Sequence, residues 1–164
     1  MDELQKMAGE LGELLKARGQ TVGVAESSSG GLISAALLSI AGASAYYAGG
    51  GVVYTMQSRR RILDLRKSDV EGLQPLTEEM SAVFAERART TFDATWGIAE
   101  LGAAGPGGSR YGHPAGITAI AVAGPVPMTA LIKTGIDDRE SNMWEFTRRS
   151  LDLLKQAVEA SPVD

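Results

Sequence analysis

The chain contains no cysteine and only one histidine among its 164 residues. The missing cysteine excludes disulfides, thiolate metal sites and cysteine nucleophiles, and a single imidazole cannot build a histidine-rich metal site. Aromatic residues make up only 5% of the chain, and no long apolar run is present. We therefore expect no bound metal, no cofactor and no membrane partner.

Cationic residues are too few to give the chain a basic balance, and its formal net charge is -4. A nucleic acid is therefore not an expected partner. A local exception is the run Arg59-Arg60-Arg61, which is typical of a solvated helix face. With 44% hydrophobic residues, residues 1–164 fit one globular domain, which we expect in the cytoplasm.

Apolar periodicity along the chain predicts an α/β fold, with helices on both faces of a mixed sheet. This corresponds to a single three-layer α/β/α domain. The predicted strands cover residues 21–25, 49–54, 95–99, 117–122 and 129–132, and the last two form a hairpin. The predicted helices cover 4–18, 29–38, 59–65, 77–88 and 140–158, with Thr77 and Asp138 as N-caps of the last two.

Three unusual segments follow predicted strands, at residues 26–31, 54–59 and 101–114. In open α/β sheets ligands bind beyond the carboxyl ends of the strands. The shared position of these segments therefore predicts a binding site at one edge of the sheet.

The first of these segments reads Glu-Ser-Ser-Ser-Gly-Gly and has two interpretations. If the following helix begins near Ser29, its free N–H groups could stabilise an oxyanion, and Ser27 would be an exposed nucleophile at the strand-to-helix turn. Alternatively, Ser28 or Ser29 caps the helix and the glycines allow tight packing. The pattern is neither G-x-S-x-G nor a phosphate-binding loop.

A serine nucleophile needs a base, and several residues could contribute to such a site. His113, the one imidazole, stands between glycine and proline and is more typical of a turn. Tyr54 is a candidate base or a half-buried strand aromatic, and Arg139 could bind a phosphate or pair with an acid. The glycine-rich segment 102–108 either brings N–H groups to a ligand or turns tightly between strands.

Six segments together resemble the family of CinA C-terminal domains, whose stand-alone members include nicotinamide-nucleotide amidases. Ala-Glu-Ser-Ser-Ser-Gly-Gly resembles the family's A-E-S-C-T-G-G, and Gly-Ala-Ser matches its G-A-S. The other four resemble the family's G-V-V-x-Y-S-N-x-x-K, T-G-I-A-G-P-x-G-G, K-P-V-G-T and G-D-R. In order, the six lie at residues 25–31, 42–44, 51–59, 101–108, 113–117 and 137–139.

The resemblance implies hydrolysis of nicotinamide mononucleotide to nicotinate mononucleotide and ammonia. It implies a catalytic serine at Ser27, with Tyr54 and Arg59 at the same site, and no metal. The substrate, a small nucleotide, would be bound by residues of the serine stretch, the glycine-rich loop and the last helix: Glu26, Ser29, Gly30, Gly31, Gly102, Ala103, Gly105, Pro106, Gly107 and Arg139. A homo-oligomer is also expected, as for many small α/β domains.

The sequence departs from the family pattern at three positions near this site. The family lysine is Arg59, which cannot act as a base but whose charge could stabilise an anion. The family threonine is Leu101, and a family asparagine is Met56. These changes indicate altered substrate choice or lost catalysis, and the alternative hypothesis is a nucleotide-binding module with impaired catalysis.

Overall fold

The computed structural model describes residues 1–163 and contains one five-stranded sheet. Its order is β2-β1-β3-β4-β5. Strand β1 runs parallel to β2 and β3, whereas the pairs β3–β4 and β4–β5 are antiparallel. The expected mixed sheet and hairpin are confirmed. The strands are β1 (Val22–Glu26), β2 (Tyr47–Val52), β3 (Trp96–Ala103), β4 (Ile117–Ala123) and β5 (Met128–Lys133).

Helices cover both faces of the sheet, so the expected three-layer α/β/α architecture is confirmed. Helices α1, α2 and α5 pack on one face, and α3 and α4 pack on the other. The helices are α1 (Asp2–Ala17), α2 (Leu32–Leu38), α3 (Met56–Leu63), α4 (Glu78–Thr91) and α5 (Arg139–Ala160), with short 3₁₀ turns at Ala43–Ala45 and Lys67–Val70.

The two hydrophobic cores lie on opposite faces of the sheet. Trp96 is fully buried in the first core, and its indole N–H donates to Gln20 Oε1 over 2.9 Å. Phe84 and Leu63 belong to the second core. Helix α4 approaches β3 so closely that a Cβ at Gly97 would collide with the carbonyl oxygen of Ala85, which explains a glycine in the middle of a strand.

The two predicted N-caps, Thr77 and Asp138, are confirmed. Thr77 Oγ1 accepts a hydrogen bond from the Met80 N–H at the start of α4. Asp138 Oδ2 accepts one from the Ser141 N–H over 2.9 Å at the start of α5.

Several predicted boundaries are wrong; helix α3, for example, begins at Met56 and not at residue 59. Strand β2 ends at Val52, so Tyr54 follows the strand and lies two residues beyond its end. Strand β3 continues to Ala103 because it pairs with β4 over its whole second half. Gly102 and Ala103 therefore belong to a strand and not to a flexible loop. Helix α2 begins only at Leu32, after a turn.

The topology brings four connections to one edge of the sheet. Glu26 pairs with Val52 and with Glu100, which aligns the carboxyl ends of β1 and β2 alongside β3. The β3–β4 connection and the segment after β5 lie at the same edge, since Ile117 opens β4 opposite Ala103 and Lys133 pairs with Ile117.

None of the helices among residues 1–163 is both long and apolar enough to span a bilayer.

Candidate active site

The serine stretch forms a turn between β1 and α2, held from both sides by two buried carboxylates. Ser27, Ser28 and Ser29 are all nearly or fully buried. Gly30 N–H donates to the Ser27 carbonyl over 3.1 Å, which closes the turn. The conformation of this turn is therefore fixed by the strand and helix on either side of it.

The carboxylate of Glu26 occupies the N-terminus of α2. It accepts hydrogen bonds from Gly31 N–H (2.8 Å), Ile33 N–H (3.1 Å) and Ser34 N–H (2.9 Å), and from the Ser29 hydroxyl (2.8 Å). Neither Ser28 nor Ser29 caps the helix, because Gly31 is the N-cap. The prediction that these N–H groups face outward for an oxyanion is wrong, since Glu26 already accepts their hydrogen bonds.

A second carboxylate, Glu100 on β3, lies beneath the turn and is fully buried. It accepts from the N–H groups of Ser27 (3.2 Å) and Ser29 (2.8 Å) and from the hydroxyls of Ser28 and Thr118. A buried carboxylate is tolerated only when it is hydrogen-bonded in this way. Glu100 thus holds the serine turn against the sheet.

Two hydrogen-bond donors of the turn remain free. The Ser27 hydroxyl and the Ser28 N–H make no hydrogen bond to any of residues 1–163. Buried N–H groups without a partner are rare in folded proteins. A hydroxyl beside the free N–H of the next residue is the arrangement that acyl-transfer enzymes use for a nucleophile and its oxyanion donor.

Both groups belong to residues that line an open cleft of about 710 Å³, a size common for small-ligand sites. The cleft is formed by the serine turn, the start of α3, the glycine-rich loop and the start of α5. Its lining includes the predicted residues Ser27, Tyr54, Arg59, Gly102, Ala103, Gly105, Gly107 and Arg139. These side chains and backbone groups therefore face one common space.

Five residues proposed to bind substrate are not among those lining the cleft: Glu26, Ser29, Gly30, Gly31 and Pro106. Glu26 and Ser29 are fully buried and bonded to one another. Their observed contacts hold the turn and the start of α2. Pro106 is exposed and follows Gly105 through a cis peptide bond.

The glycine-rich loop is fastened to the beginning of α5. The Asn142 amide donates to the carbonyls of Ala104 and Ile136, each over 2.8 Å. Arg139 Nη1 donates to the Gly105 carbonyl over 2.7 Å. The N–H groups of Ala104 and Gly105 bond to nothing within residues 1–163, which leaves two further donors beside the cleft.

Three arginines give the cleft a cationic lining. Arg139 Nη2 lies 3.4 Å from the Tyr54 hydroxyl, and Arg110 stacks 5.3 Å from the centroid of the Tyr111 ring. Arg59 is half-buried, with Nε donating to the Val53 carbonyl and the guanidinium 5.0 Å from the Phe84 ring centroid. The prediction of a solvated face for the whole arginine run is therefore wrong for Arg59.

Burial lowers the pKa of Arg59, and the neighbouring Tyr111 acts against this shift while Arg110 adds to it. A guanidinium nevertheless stays protonated in proteins. Arg59 can thus stabilise an anion in the cleft but cannot remove a proton from Ser27.

A side cavity of about 550 Å³ adjoins the cleft at Met56, Arg59, Leu76 and Tyr111. Its lining also includes Leu101, which is buried in the second core. All three departures from the family pattern, Met56, Arg59 and Leu101, therefore line this one cavity.

Several residues of the site were missed from the sequence. Ser28, Arg110 and Tyr111 line the cleft, and Glu100 supports it. A glutamate inside the apolar run of β3 was a readable signal for Glu100.

His113 lies in a turn that is closed by a hydrogen bond from the Ser109 N–H to the His113 carbonyl over 2.8 Å. His113 does not line the cleft. Residues 1–163 hold no cluster of three metal-ligating side chains.

Known proteins with similar sequences match this chain over nearly its whole length. A CinA-like protein from Desulforapulum autotrophicum is 34% identical over 153 residues, covering 93% of this chain and 36% of that protein. One from Anaeromyxobacter dehalogenans is 33% identical over 144 residues, covering 88% of this chain and 35% of that protein. This chain thus spans about a third of the length of these curated relatives.

Solved structures with a similar fold also match this chain over nearly its whole length. The competence damage-inducible protein A (ComA) from Klebsiella pneumoniae has a TM-score of 0.88 at 26% identity, covering 96% of this chain and 98% of that one. A competence-damaged protein (CinA) superfamily protein from Escherichia coli has a TM-score of 0.85 at 28% identity, covering 93% and 90%. The family model of the CinA C-terminal domain matches residues 4–158, and the chain belongs to this family.

Proposed function

We propose that this chain hydrolyses the carboxamide of nicotinamide mononucleotide, giving nicotinate mononucleotide and ammonia, with Ser27 as the nucleophile. The observation that carries the proposal is the free Ser27 hydroxyl beside the free Ser28 N–H, in residues that line the cleft. The resemblance to nicotinamide-nucleotide amidases supplies the substrate. The proposal concerns this chain and not the longer relatives.

The proposed reaction is an acyl transfer through Ser27. Its oxygen attacks the carboxamide carbon, and the carbonyl oxygen becomes an oxyanion that accepts a hydrogen bond from the Ser28 N–H. The carbon–nitrogen bond then breaks, and the nitrogen leaves as ammonia with the serine proton. Water hydrolyses the resulting ester, which gives the carboxylate, a proton and free Ser27.

Tyr54 is the residue that we assign to proton transfer in this reaction. It lines the cleft with Ser27, and its hydroxyl is the one that Arg139 approaches to within 3.4 Å. Arg110 and Arg139 are suited to the phosphate of the nucleotide, because guanidinium groups bind phosphate oxygens in pairs. The apolar face of Tyr111 would lie beside the pyridine ring.

The test is ammonia release from nicotinamide mononucleotide by the purified chain. We expect release by the wild type and none by Ser27→Ala. The matched control is Ser28→Ala, which keeps the backbone N–H and should retain measurable release. Equal release by wild type and Ser27→Ala would refute the nucleophile, and no release from the folded wild type would refute the amidase.

A second candidate function, a nucleotide-binding module without catalysis, is favoured by one observation. Arg59 stands where the family pattern has lysine, and its half-buried guanidinium packs on Phe84. The discriminating variant is Arg59→Lys. Increased ammonia release would support an impaired catalytic position, whereas unchanged release with nucleotide binding retained in calorimetry would support the binding module.

A further inference from the structure

Cationic side chains are concentrated on one short stretch of an otherwise acidic chain. Residues 56–67 contain Arg59, Arg60, Arg61, Arg66 and Lys67 but only one acid, Asp64, while the whole chain carries -4. This stretch comprises α3 and the turn into the following 3₁₀ helix. Of these five cations, only Arg59 lines the cleft of the candidate active site. The other four have no role in that site.

These four cations line one concave surface, which we call the α3 groove. It has a volume of about 820 Å³ and is lined by Met56, Gln57, Arg60, Arg61, Asp64, Leu65, Arg66 and Lys67. It meets the cleft only at Met56 and Gln57. The groove also borders the side cavity, at Met56 and Lys67, and is otherwise a separate space beside the candidate active site.

The positive charge of the groove is largely uncompensated. Among residues 1–163, Arg60, Arg61 and Lys67 form no ion pair, and the Arg66–Asp64 pair spans 3.7 Å between two exposed side chains. The nearby acid Asp69 is already engaged, since it pairs with Arg87 over 3.3 Å and accepts from the Arg66 N–H over 2.7 Å. Like charges that line one surface repel one another, and an anion bound between them would offset this repulsion.

We propose that the α3 groove binds a linear polyphosphate, either free or carried by a nucleoside. Three guanidinium groups offer paired donors for phosphate oxygens, and the ammonium group of Lys67 adds a mobile charge. Several cations along a groove of this size match a chain of phosphates better than a single phosphate. Met56, whose side chain is exposed, provides an apolar surface that a nucleoside base could cover.

The experiment is calorimetric titration of the full chain with tripolyphosphate and, separately, with ATP. We expect one saturable site and about a tenfold or greater weakening in the double variant Arg60→Gln/Arg61→Gln, as for the loss of charged hydrogen bonds. The control is Lys133→Gln/Arg149→Gln, which removes the same charge from exposed positions outside the groove and should bind as the wild type does.

Because Arg60 and Arg61 also lie in the last turn of α3, a second variant, Lys67→Gln, repeats the test outside that helix. Equal affinity for tripolyphosphate and ATP would show that the groove binds only the phosphates. Tighter binding of ATP would show that the groove also contacts the nucleoside. Either result supports the groove.

The proposal fails if neither probe saturates, or if the control variant loses affinity equally. It also fails if Arg139→Gln, a change in the cleft, abolishes binding while the groove variants do not. Tighter, groove-dependent binding of a single-stranded oligonucleotide would replace the proposed small ligand by a nucleic acid. None of these outcomes depends on amidase activity.

Discussion

At the scale of single residues, two buried carboxylates organise the serine turn from opposite sides. Glu26 satisfies the N–H groups at the start of α2, and Glu100 satisfies those of Ser27 and Ser29. Together they leave the Ser28 N–H as the free donor next to Ser27. The geometry of the candidate nucleophile thus depends on residues that do not line the cleft.

Replacing Glu26 by glutamine should destabilise the fold. Oε2 of Glu26 accepts from Ser34 N–H while Oε1 accepts from three other donors, and an amide NH₂ at either place would face a donor. We expect Glu26→Gln to lose about 1–3 kcal/mol of unfolding free energy. Urea denaturation measures this, with the exposed Glu79→Gln as a control that should change little; equal effects would contradict the assigned role.

Adding a methyl group at Gly102 should disturb the Glu100 network. A Cβ there would lie 2.5 Å from Ser28 Oγ and 2.9 Å from Glu100 Oε1. We expect Gly102→Ala to cost about 1–3 kcal/mol in thermal unfolding, as overpacking does. Gly107→Ala is the matched control, since a Cβ there meets no atom within 4 Å. A neutral Gly102→Ala variant would show that the network can relax.

Individual residues were predictable only where a local motif identified them. Ser27, Tyr54 and Arg139 follow from the family motifs, and the structure places all three along the cleft. The Glu26 carboxylate accepts from residues 29–34, which are close in sequence, whereas the role of Glu100 depends on the register between β1 and β3, which joins residues far apart in sequence. No local pattern contains that pairing.

At the scale of secondary-structure elements, the N-terminus of α5 places a capping residue, Asp138, next to a residue that lines the cleft, Arg139. Asp138 caps the helix, and the next residue, Arg139, reaches Gly105 and Tyr54. Hydrogen bonding by the Ser141 side chain and then its backbone holds the pKa of Asp138 below its ordinary range. The cap therefore favours the ionised carboxylate, and its contribution depends on pH.

A depressed carboxyl pKa gives a defined sign of pH dependence. The stabilisation by Asp138 is fully present above the unfolded-state pKa of about 3.9 and is lost as pH falls through the lower folded-state pKa. Asparagine caps a helix comparably but does not titrate there. We expect the stability advantage of wild type over Asp138→Asn to shrink between about pH 5 and pH 2.

Urea denaturation at pH 7, 5, 3 and 2 would measure this difference. The variant Asp137→Asn removes the same charge from the neighbouring residue, which does not cap α5. If both variants follow one pH profile, net charge and not the cap is responsible.

Most elements were predictable because their signals are local: apolar periodicity, the caps Thr77 and Asp138, and the hairpin turn. Boundaries were wrong where a partner strand decides them. Strand β3 reaches Ala103 because β4 continues beside it, and α2 starts late because the preceding turn is held by two carboxylates. Such contacts override the local preference of the glycines for a loop.

At the scale of the whole molecule, one sheet carries both cores and the site. The chain exposes 7896 Å², close to the roughly 7,800 Å² that size scaling gives for a monomer of 17.2 kDa. Its surface area is thus that of a compact monomer, and the expected self-association stays a prediction. The strands that separate the two cores also supply residues to both.

Because the cores share these strands, they should unfold together. Both tryptophans, Trp96 and Trp144, lie in or against the first core, whereas Leu63 is buried in the second. We expect Leu63→Ala to lower the unfolding free energy by about 2–5 kcal/mol. Tryptophan fluorescence and far-UV circular dichroism should then report the same lowered urea midpoint.

The matched control is Leu131→Ala on the edge strand β5, where the side chain is 42% exposed. It should shift the midpoint only slightly, because an exposed side chain loses little buried surface. If Leu63→Ala instead lowers the circular dichroism midpoint and leaves the fluorescence midpoint unchanged, the α4 side unfolds alone. In that case the sheet would not couple the two cores, and the cleft above it would rest on two independently stable layers.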